Sequence, residues 1–372
     1  MTSIIYVGMD VHTTNYTLCC FSMEDDRFFA EVQVEPDAKN ILKYLARIEK
    51  QQIRDCRIVC GYEAGCLGYS LYHQLHAHGI DCVILAPTTM MTKPGKRIKT
   101  DRRDARLISK CLAFHTYSPV YIPTEVDDAV KEYIRMRDDA NSALARVKQQ
   151  IIAFCIRHGK IHDGKSYWTN KHLEWLSSLD LGNKILPEVL QEYLIRYYQL
   201  REQVDMYDMR INELAQAEPY RQKVEKLGCF RGIAAHTALS FCVEVGDFRR
   251  FATAQQFASY LGLVPGECSS GDKQQYTGIT KAGNSHLRKL LVETAQVFGR
   301  SATKSGKSVA LKERQAKCDS LTVAYADKAN ARLKKKYFKI AMRSKVNIAK
   351  TAVAREMACF IWGMMTDNIS CA

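Results

Sequence analysis

Four acidic residues in the first third of the chain have types, positions and spacing that indicate metal chemistry. Asp10 interrupts the apolar run 4–11, which is typical of a buried strand, and Glu63 follows a second apolar run where a Gly-rich turn begins. Asp101 and Asp104 are three residues apart in a predicted helix, so they share one face. A buried carboxylate costs free energy unless it is paired or binds a metal. Carboxylates that converge from two strands and a helix commonly hold two divalent cations against a phosphodiester.

The set therefore predicts metal-dependent chemistry on nucleic acids. Two Mg²⁺ or Mn²⁺ ions would polarise the phosphoryl oxygen and stabilise the attacking and leaving oxygens of an in-line displacement. Asp10, which is rigid in mid-strand, suits a bridging role, and Glu63, Asp101 and Asp104 would complete the ligand shell. His12 lies on the same strand face as Asp10 and can orient a water molecule or pack; packing is favoured.

The charge distribution supports a nucleic-acid partner. The 372 residues carry a formal net charge of +14, yet residues 1–100 balance 11 Lys and Arg against 11 Asp and Glu. Residues 281–355 carry 19 basic and 4 acidic residues, which is about the whole surplus. A neutral N-terminal part and a basic C-terminal part predict that the C-terminal part binds phosphates. The alternative is a solvated basic surface that serves solubility.

The cysteines and the apolar segments argue against secretion and against a membrane role. The 14 cysteines lie mostly inside apolar runs with no preceding signal peptide, which predicts buried thiols in a reducing cytoplasm. Cys56, Cys60 and Cys66 with His73 and His76 fit no common zinc spacing. The apolar run near the C-terminus is too short to cross a bilayer and predicts a core helix.

The order of elements in the first part predicts an α/β fold. Three apolar strands (4–11, 15–22 and 28–34) precede a helix that begins near Asp37, and strands and helices alternate thereafter up to the helix of Asp101. This order favours a mixed sheet with helices on both faces. With acidic residues on the first strand, the fourth strand and a late helix, it is the order of the RNase H-like, or RuvC-like, fold.

The middle, residues 124–226, predicts long helices. Apolar residues recur at intervals of three and four in two stretches, which a Gly- and Pro-containing connection (159–187) separates. This periodicity favours an antiparallel helical hairpin or a coiled-coil dimer arm, and an ordinary amphipathic bundle within one protomer is the alternative. The positions are Ala140, Leu144, Val147, Ile151 and Phe154, and then Leu200, Val204, Tyr207, Ile211 and Leu214.

The part from residue 227 onward predicts a mainly helical domain with two Gly-rich loops. In the loop at 265–272, Ser270 precedes Gly271 and is the first candidate for a nucleophile, ahead of Tyr276 and Cys268. Lys281, Asn284, His286 and Arg288 follow this loop and are candidate phosphate ligands, with the backbone of a helix start beside them.

The other Gly-rich loop, 230–234, resembles a hairpin turn whose N–H groups face a DNA backbone. The usual form of that turn is Pro-Gly-Ile-Gly; here Arg231 replaces the Pro and Ala234 replaces the second Gly. Basic residues before Asp101 and on the helix of Tyr337 could also bind phosphates, or could be solvated faces. The residues predicted to bind nucleic acid are Lys96, Lys99, Arg231, Lys281, Asn284, Arg288, Lys334, Lys335, Lys336 and Arg343.

Together these motifs resemble the DEDD transposases of bacterial insertion sequences, the IS110 and Piv invertase family, over nearly the whole chain. The resemblance rests on ordered motifs in all three parts of the sequence. They are GMDVH at 8–12, GYEAG at 61–65, KTDRRDAR at 99–106, FASYLGLVP at 257–265, SG at 270–271 and GITKAGNSHLR at 278–288.

The resemblance implies a particular organisation and reaction. It implies a RuvC-like metal-binding domain (1–123), a helical coiled-coil arm (124–226) and a C-terminal transposase domain (227–372). Asp10, Glu63, Asp101 and Asp104 match the metal-binding tetrad of the family, and Ser270 matches a serine nucleophile that links covalently to DNA. Members recombine donor and target DNA in the bacterial cytoplasm, at the nucleoid. The best understood members are guided by a noncoding bridge RNA and assemble as dimers or tetramers.

Two other functions stay open at this stage. One is a metal-dependent, structure-selective DNA endonuclease of the RuvC type, in which Ser270 would be only structural. The other is a catalytically silent nucleic-acid-binding protein that descends from a transposase, against which the complete set of four acidic residues argues.

Overall fold

The computed structural model describes residues 3–51, 56–90, 100–182, 184–267, 275–300 and 306–369, which form two compact units, Met1–Ile122 and Pro123–Ala372. The first contains β1 (Ser3–Val11), β2 (Tyr16–Ser22), β3 (Arg27–Val34), α1 (Ala38–Gln51), β4 (Cys56–Glu63), α2 (Ser70–Ala77), β5 (Asp81–Leu85) and α3 (Asp101–Ala113). The second contains α4 (Glu125–Arg157), α5 (Asn170–Ser177), α6 (Ile185–Gln216), α7 (Arg221–Gly228), α8 (Ala235–Val245), α9 (Ala254–Tyr260), β6 (Pro265–Glu267), β7 (Tyr276–Ile279), α10 (Ser285–Ala295), α11 (Val309–Gln315), α12 (Ser320–Ala341) and α13 (Val346–Met365).

The first unit is a five-stranded mixed sheet, as the sequence predicts. The strand order is β3-β2-β1-β4-β5; β1, β2 and β3 pair antiparallel, whereas β1, β4 and β5 pair parallel. Helices α1 and α2 pack on one face and α3 packs on the other. Because both faces are covered, the central strands are apolar along most of their length, which is why they stand out in the sequence.

Two glycines let α3 approach the sheet closely. A Cβ atom on Gly8 would lie 2.0 Å from the carbonyl oxygen of Ala105, and one on Gly61 would lie 2.8 Å from a methyl of Leu112. Side chains two residues apart on a strand share a face. The residues two positions after these glycines, Asp10 and Glu63, therefore lie on the α3 face of the sheet.

In the second unit, α4 and α6 form an antiparallel helical hairpin. The ring of Tyr133 contacts that of Tyr207, and Phe154, near the other end of α4, contacts Tyr193. Most apolar positions of the two periodic stretches lie in or against its core, whereas Ile211 and Leu214, at the end of the second stretch, pack into the core formed by the later helices. The helices thus pair within one protomer, and a coiled coil between protomers stays a prediction.

The remaining helices surround a second large core. Buried side chains of α8, α9, α10, α12 and α13 meet there, and the apolar run near the C-terminus lies in α13 with Met357, Ile361 and Met364 buried, as predicted. Both α4 and α6 also pack on α8, so arm and core belong to one compact unit. Within the described ranges, no helix combines the length and the apolarity that a membrane span requires.

Candidate active site

The strand ends and the first turn of α3 position the acidic residues. Met9 and Tyr62 are the last two residues that pair directly between the parallel strands β1 and β4. Asp10 and Glu63 follow them and therefore lie at the same edge of the sheet. Helix α3 begins there at Asp101, because the side chain of Thr100 accepts a hydrogen bond from the backbone N–H of Arg103 and caps the helix. Asp101 and Asp104 lie in this first turn, where the helix dipole favours negative charge.

Two of the predicted metal ligands meet at this edge, together with His12. One carboxylate oxygen each of Asp10 and Asp101 and one ring nitrogen of His12 lie within 4.8 Å of one another. Nε2 of His12 is 3.3 Å from Oδ2 of Asp10. The Asp10 side chain is 15% exposed and that of His12 is 46% exposed. The expectation that His12 packs is therefore wrong, because its ring faces a carboxylate and solvent.

Asp104 lies close enough to Asp10 to affect the pKa of its carboxyl group. Partial burial raises the pKa of Asp10, and the negative charges of Asp104 and Asp101 raise it further, whereas His12 lowers it. Three carboxylates that repel one another at a sheet edge fit a bound cation, which would neutralise them. Glu63 is exposed at the neighbouring strand end, and its carboxylate is not among the three ligand atoms that converge.

The donor chemistry fits hard divalent cations. Carboxylate oxygens are the usual protein ligands of Mg²⁺ and Mn²⁺, and the imidazole nitrogen is a donor that the transition-metal ion Mn²⁺ accepts more readily than Mg²⁺ does. Asp10, Asp101 and Asp104 could hold such ions on the α3 face, with Glu63 beside them at the end of β4.

The predicted nucleophile lies outside the described residues, and so do Cys268, Lys96 and Lys99. Strands β6 and β7, which stand on either side of residues 268–274, pair as a short antiparallel ribbon that the sequence did not predict. The competing nucleophile Tyr276 is exposed at the start of β7. Lys281 is exposed in the turn that follows, with a positive φ of 56°.

A buried ionic network lies at the base of the arm. His286, on α10, bridges two carboxylates: its Nε2 is 2.8 Å from Oδ2 of Asp138, on α4, and its Nδ1 is 3.2 Å from Oε1 of Glu244, on α8. Arg135 donates to Glu244 over 2.7 Å, and Nε2 of His236 is 3.0 Å from Asp138. The network thus joins α4, α8 and α10 by charge.

These contacts set the protonation states of the network. Burial alone would lower the pKa of His286, but its hydrogen bonds to Asp138 and Glu244 outweigh burial and raise the pKa to about 9. Burial raises the pKa of Glu244, but the hydrogen bond from His286 and the charge of Arg135 bring it down to about 2. Burial also raises the pKa of Asp138, but its hydrogen bonds with His236 and His286 bring that pKa well below its usual range. At neutral pH the network therefore contains a protonated His286 between two ionised carboxylates.

Like His286, two other predicted phosphate ligands near the start of α10 are engaged inside this unit. Asn284 donates to Oε2 of Glu244 over 2.9 Å and accepts from the backbone N–H of Leu287 over 3.0 Å, so it caps α10. Arg288 donates to the carbonyl oxygen of Leu261 over 2.9 Å. Both side chains hold the turn that follows β7.

The hairpin turn at Arg231 is also tied to its own domain. The backbone N–H of Arg231 donates to Oδ1 of Asn330 over 2.9 Å, and the guanidinium of Arg231 donates to the carbonyl oxygen of Gly306 over 2.9 Å. On α12, Lys336 pairs with Glu356 over 2.6 Å. Lys335 is exposed on the same helix, Lys334 is half-buried, and Arg343 is exposed just beyond the helix.

Sequence reasoning missed the two carboxylates of the network. Glu244 interrupts the apolar run of α8 as Asp10 interrupts that of β1, and its side chain is only 6% exposed. The signal that identified Asp10 therefore applies to Glu244 as well. Asp138 carries no such signal, because its neighbours Arg137 and Asp139 make it look like part of a solvated face.

The fold and the site define the class of the first unit. A five-stranded mixed sheet with helices on both faces, and acidic residues at two adjacent strand ends and on a helix that crosses them, is consistent with a DEDD-type, RNase H-like domain. Comparison with known families agrees. A model for the DEDD transposases of the IS110 type matches residues 7–156, and one described as "Transposase IS116/IS110/IS902 family" matches residues 225–314.

Individual relatives extend the match along the chain. The chain is 33% identical to "Transposase for insertion sequence element IS1533" of Leptospira borgpetersenii, over 90% of this chain and 95% of that protein. It is 36% identical to "Putative transposase y4qE" of Sinorhizobium fredii, over 82% of this chain and 75% of the other. The chain belongs to the IS110 family of insertion-sequence transposases. Membership implies an enzyme that cuts and rejoins DNA, and its DEDD domain suggests that it uses divalent metal ions.

Proposed function

We propose that the protein moves an insertion sequence by cutting and rejoining donor and target DNA strands with two divalent cations and a serine nucleophile. The observation that carries the proposal is the convergence of Asp10 and Asp101 at one sheet edge, with Asp104 close enough to raise the pKa of Asp10. The three-part division at residues 123 and 226 belongs to the same proposal.

The tetrad would act through the DNA phosphate. Bound Mg²⁺ or Mn²⁺ would supply Lewis acidity at the scissile phosphodiester. Asp10, Glu63, Asp101 and Asp104 would hold the ions, and the packing of α3 on Gly8 keeps Asp101 and Asp104 at a fixed height above the strand ends. A rigid ligand frame of this kind fixes the reacting phosphate without reorganisation during the reaction.

Ser270 would attack the phosphate. Its Oγ would lose a proton and bond to phosphorus, while the bond between phosphorus and the leaving sugar oxygen breaks and that oxygen is protonated. A sugar hydroxyl of the second DNA strand would then displace Ser270, regain the phosphodiester and return the proton to the serine. Support for this role is the Ser-Gly pair at 270–271 within the part of the chain that the second family model covers.

Nucleic-acid binding would fall mainly to the basic second half of the chain. Lys281, Lys335 and Arg343 are exposed and suit phosphate contacts. A noncoding bridge RNA that pairs with donor and target DNA would supply base recognition, as the family resemblance implies, and the proteins would assemble as dimers or tetramers. Lys96 and Lys99 would lead a strand toward Asp101.

The test is a search for a covalent protein–DNA product. Labelled DNA that carries the element ends is incubated with protein and Mg²⁺, with and without the adjacent noncoding RNA, and is then resolved under denaturing conditions. The wild type should give a labelled protein adduct that needs both Mg²⁺ and the RNA, and Ser270→Ala should give none. Equal cleavage by both proteins with no adduct would contradict the serine mechanism and favour a RuvC-like endonuclease. An adduct that forms in the absence of the RNA would contradict the proposed role of a guide RNA.

A further inference from the structure

His12 is held where it can reach the acidic residues. Its backbone N–H donates to the carbonyl oxygen of Asn15 over 2.9 Å, which closes the turn between β1 and β2. From this anchored position its Nε2 approaches Oδ2 of Asp10 to 3.3 Å, and it lies within 4.8 Å of a carboxylate oxygen of Asp101. The ring is on the strand face that carries Asp10 and close to the helix turn that carries Asp101.

We propose that His12 binds one of the catalytic cations directly, beside Asp10 and Asp101. The inference rests on the proposed metal site and adds a nitrogen ligand to its four carboxylates. It assigns to His12 a role in the choice of metal as well as in its binding.

The geometry suits a shared ion. Ligand atoms about 2.1 Å from an octahedral ion are about 3.0 Å apart when they occupy adjacent positions. The 3.3 Å between His12 and Asp10 is close to that spacing, so a small movement would let both atoms reach one ion. The alternative is that His12 only donates a hydrogen bond to Asp10 and orients its carboxylate.

The exposure of His12 favours a metal ligand over a simple ion-pair partner of Asp10. With 46% of its side chain exposed, His12 forms the solvent side of the group, where an ion or a DNA phosphate would enter.

A nitrogen ligand has a consequence for metal preference. Imidazole is a common ligand of first-row transition-metal ions, and Mn²⁺ accepts it more readily than Mg²⁺, which prefers oxygen. The removal of His12 should therefore weaken Mn²⁺ binding much more than Mg²⁺ binding.

The test is pulsed electron paramagnetic resonance of Mn²⁺ bound to the untagged full-length protein. The wild type should show the ¹⁴N coupling of a directly bound imidazole, and His12→Gln should lose it. His76→Gln is the matched control, because His76 lies on α2 in the same unit, exposed and stacked on Tyr72. Mn²⁺ affinity should fall about tenfold or more in His12→Gln, and Mg²⁺ affinity, measured by competition, less than about threefold.

The outcomes separate this inference from the proposed metal site. If Mn²⁺ binds and Asp10→Asn weakens it, but the wild type lacks ¹⁴N coupling, then His12 is not a ligand and the carboxylate site stands. If Asp10→Asn binds Mn²⁺ as tightly as the wild type, the proposed carboxylate site is wrong, and so is the proposed role of His12 as a ligand.

Discussion

Replacement of His286 by Gln should destabilise the second unit in a pH-dependent manner. Gln keeps much of the volume and the hydrogen-bonding capacity of His but cannot carry a positive charge. In the wild type that charge lies between Asp138 and Glu244, and the His286 side chain is only 14% exposed. The substitution therefore leaves two buried carboxylates without the cation between them.

The size of the effect follows from the pKa of His286. The pKa rises from 6.5 to about 9 on folding. At 1.36 kcal/mol for each pKa unit, the charge contributes about 3 kcal/mol to the free energy of unfolding. Because the pKa is higher in the folded state, this contribution is complete below about pH 6.5 and declines as the pH rises to about 9. Loss of one partner from a buried ion pair costs about 3–5 kcal/mol in other proteins, which agrees.

Urea unfolding monitored by tryptophan fluorescence measures this effect. All three tryptophans, Trp168, Trp175 and Trp362, lie in the second unit, so the signal reports the unit that contains the network. At pH 6.5 the variant should be less stable by about 3 kcal/mol, and the difference should shrink to about 1 kcal/mol or less near pH 10.

An exposed ion pair in the same unit supplies the control. Arg210 and Glu213 pair on α6 with 54% and 63% of their side chains exposed. Arg210→Gln should change the free energy of unfolding by less than about 0.5 kcal/mol at every pH. A His286→Gln protein within 1 kcal/mol of the wild type at pH 6.5, or a difference that does not decline with pH, would refute the assignment of a buried protonated histidine.

Two further predictions concern the first unit. Gly8→Ala should lower the free energy of unfolding in urea by about 1–3 kcal/mol, because the new Cβ would collide with the backbone of α3. In the control Gly278→Ala the new Cβ would meet no atom within 4 Å, so the free energy of unfolding should change little. Equal effects of the two substitutions would contradict the close packing of α3. Asp10→Asn should raise the melting temperature of the metal-free protein at pH 7. Burial and the charges of Asp104 and Asp101 raise the pKa of Asp10, so its ionised form destabilises the folded state. A lower melting temperature would mean that Asp10 supports the fold rather than a metal.

The sequence predicted the mixed sheet, and it also pointed to Asp10 and Asp101, which meet at one edge of that sheet, for a physical reason. Strands β1 and β2 are covered on both faces, so their burial appears as apolar runs in which Asp10 is conspicuous. The spacing of Asp101 and Asp104 needed only helix periodicity. Both signals are local, and local signals can be read from one sequence.

The features that sequence reasoning missed depend on long-range contacts. Asp138 and His286 are 148 residues apart, and no local pattern indicates that they meet. The packing of α4 on α6 within one protomer likewise required the structure, because heptad spacing fits a partner helix in the same chain or in another. The role assigned to His12 failed since strand alternation predicts a face but not whether that face is covered beyond the last residue of β1.

The most direct test of the metal site compares Mg²⁺-dependent cleavage of element-end DNA by the wild type and by Asp10→Asn, with the proposed guide RNA present and with folding verified by the melting temperature. The wild type should cleave in Mg²⁺ and not in excess chelator, and Asp10→Asn should be slower by more than about a hundredfold while it still binds the RNA. Cleavage by Asp10→Asn at a rate near that of the wild type, or cleavage that persists in chelator, would contradict a carboxylate-held metal centre.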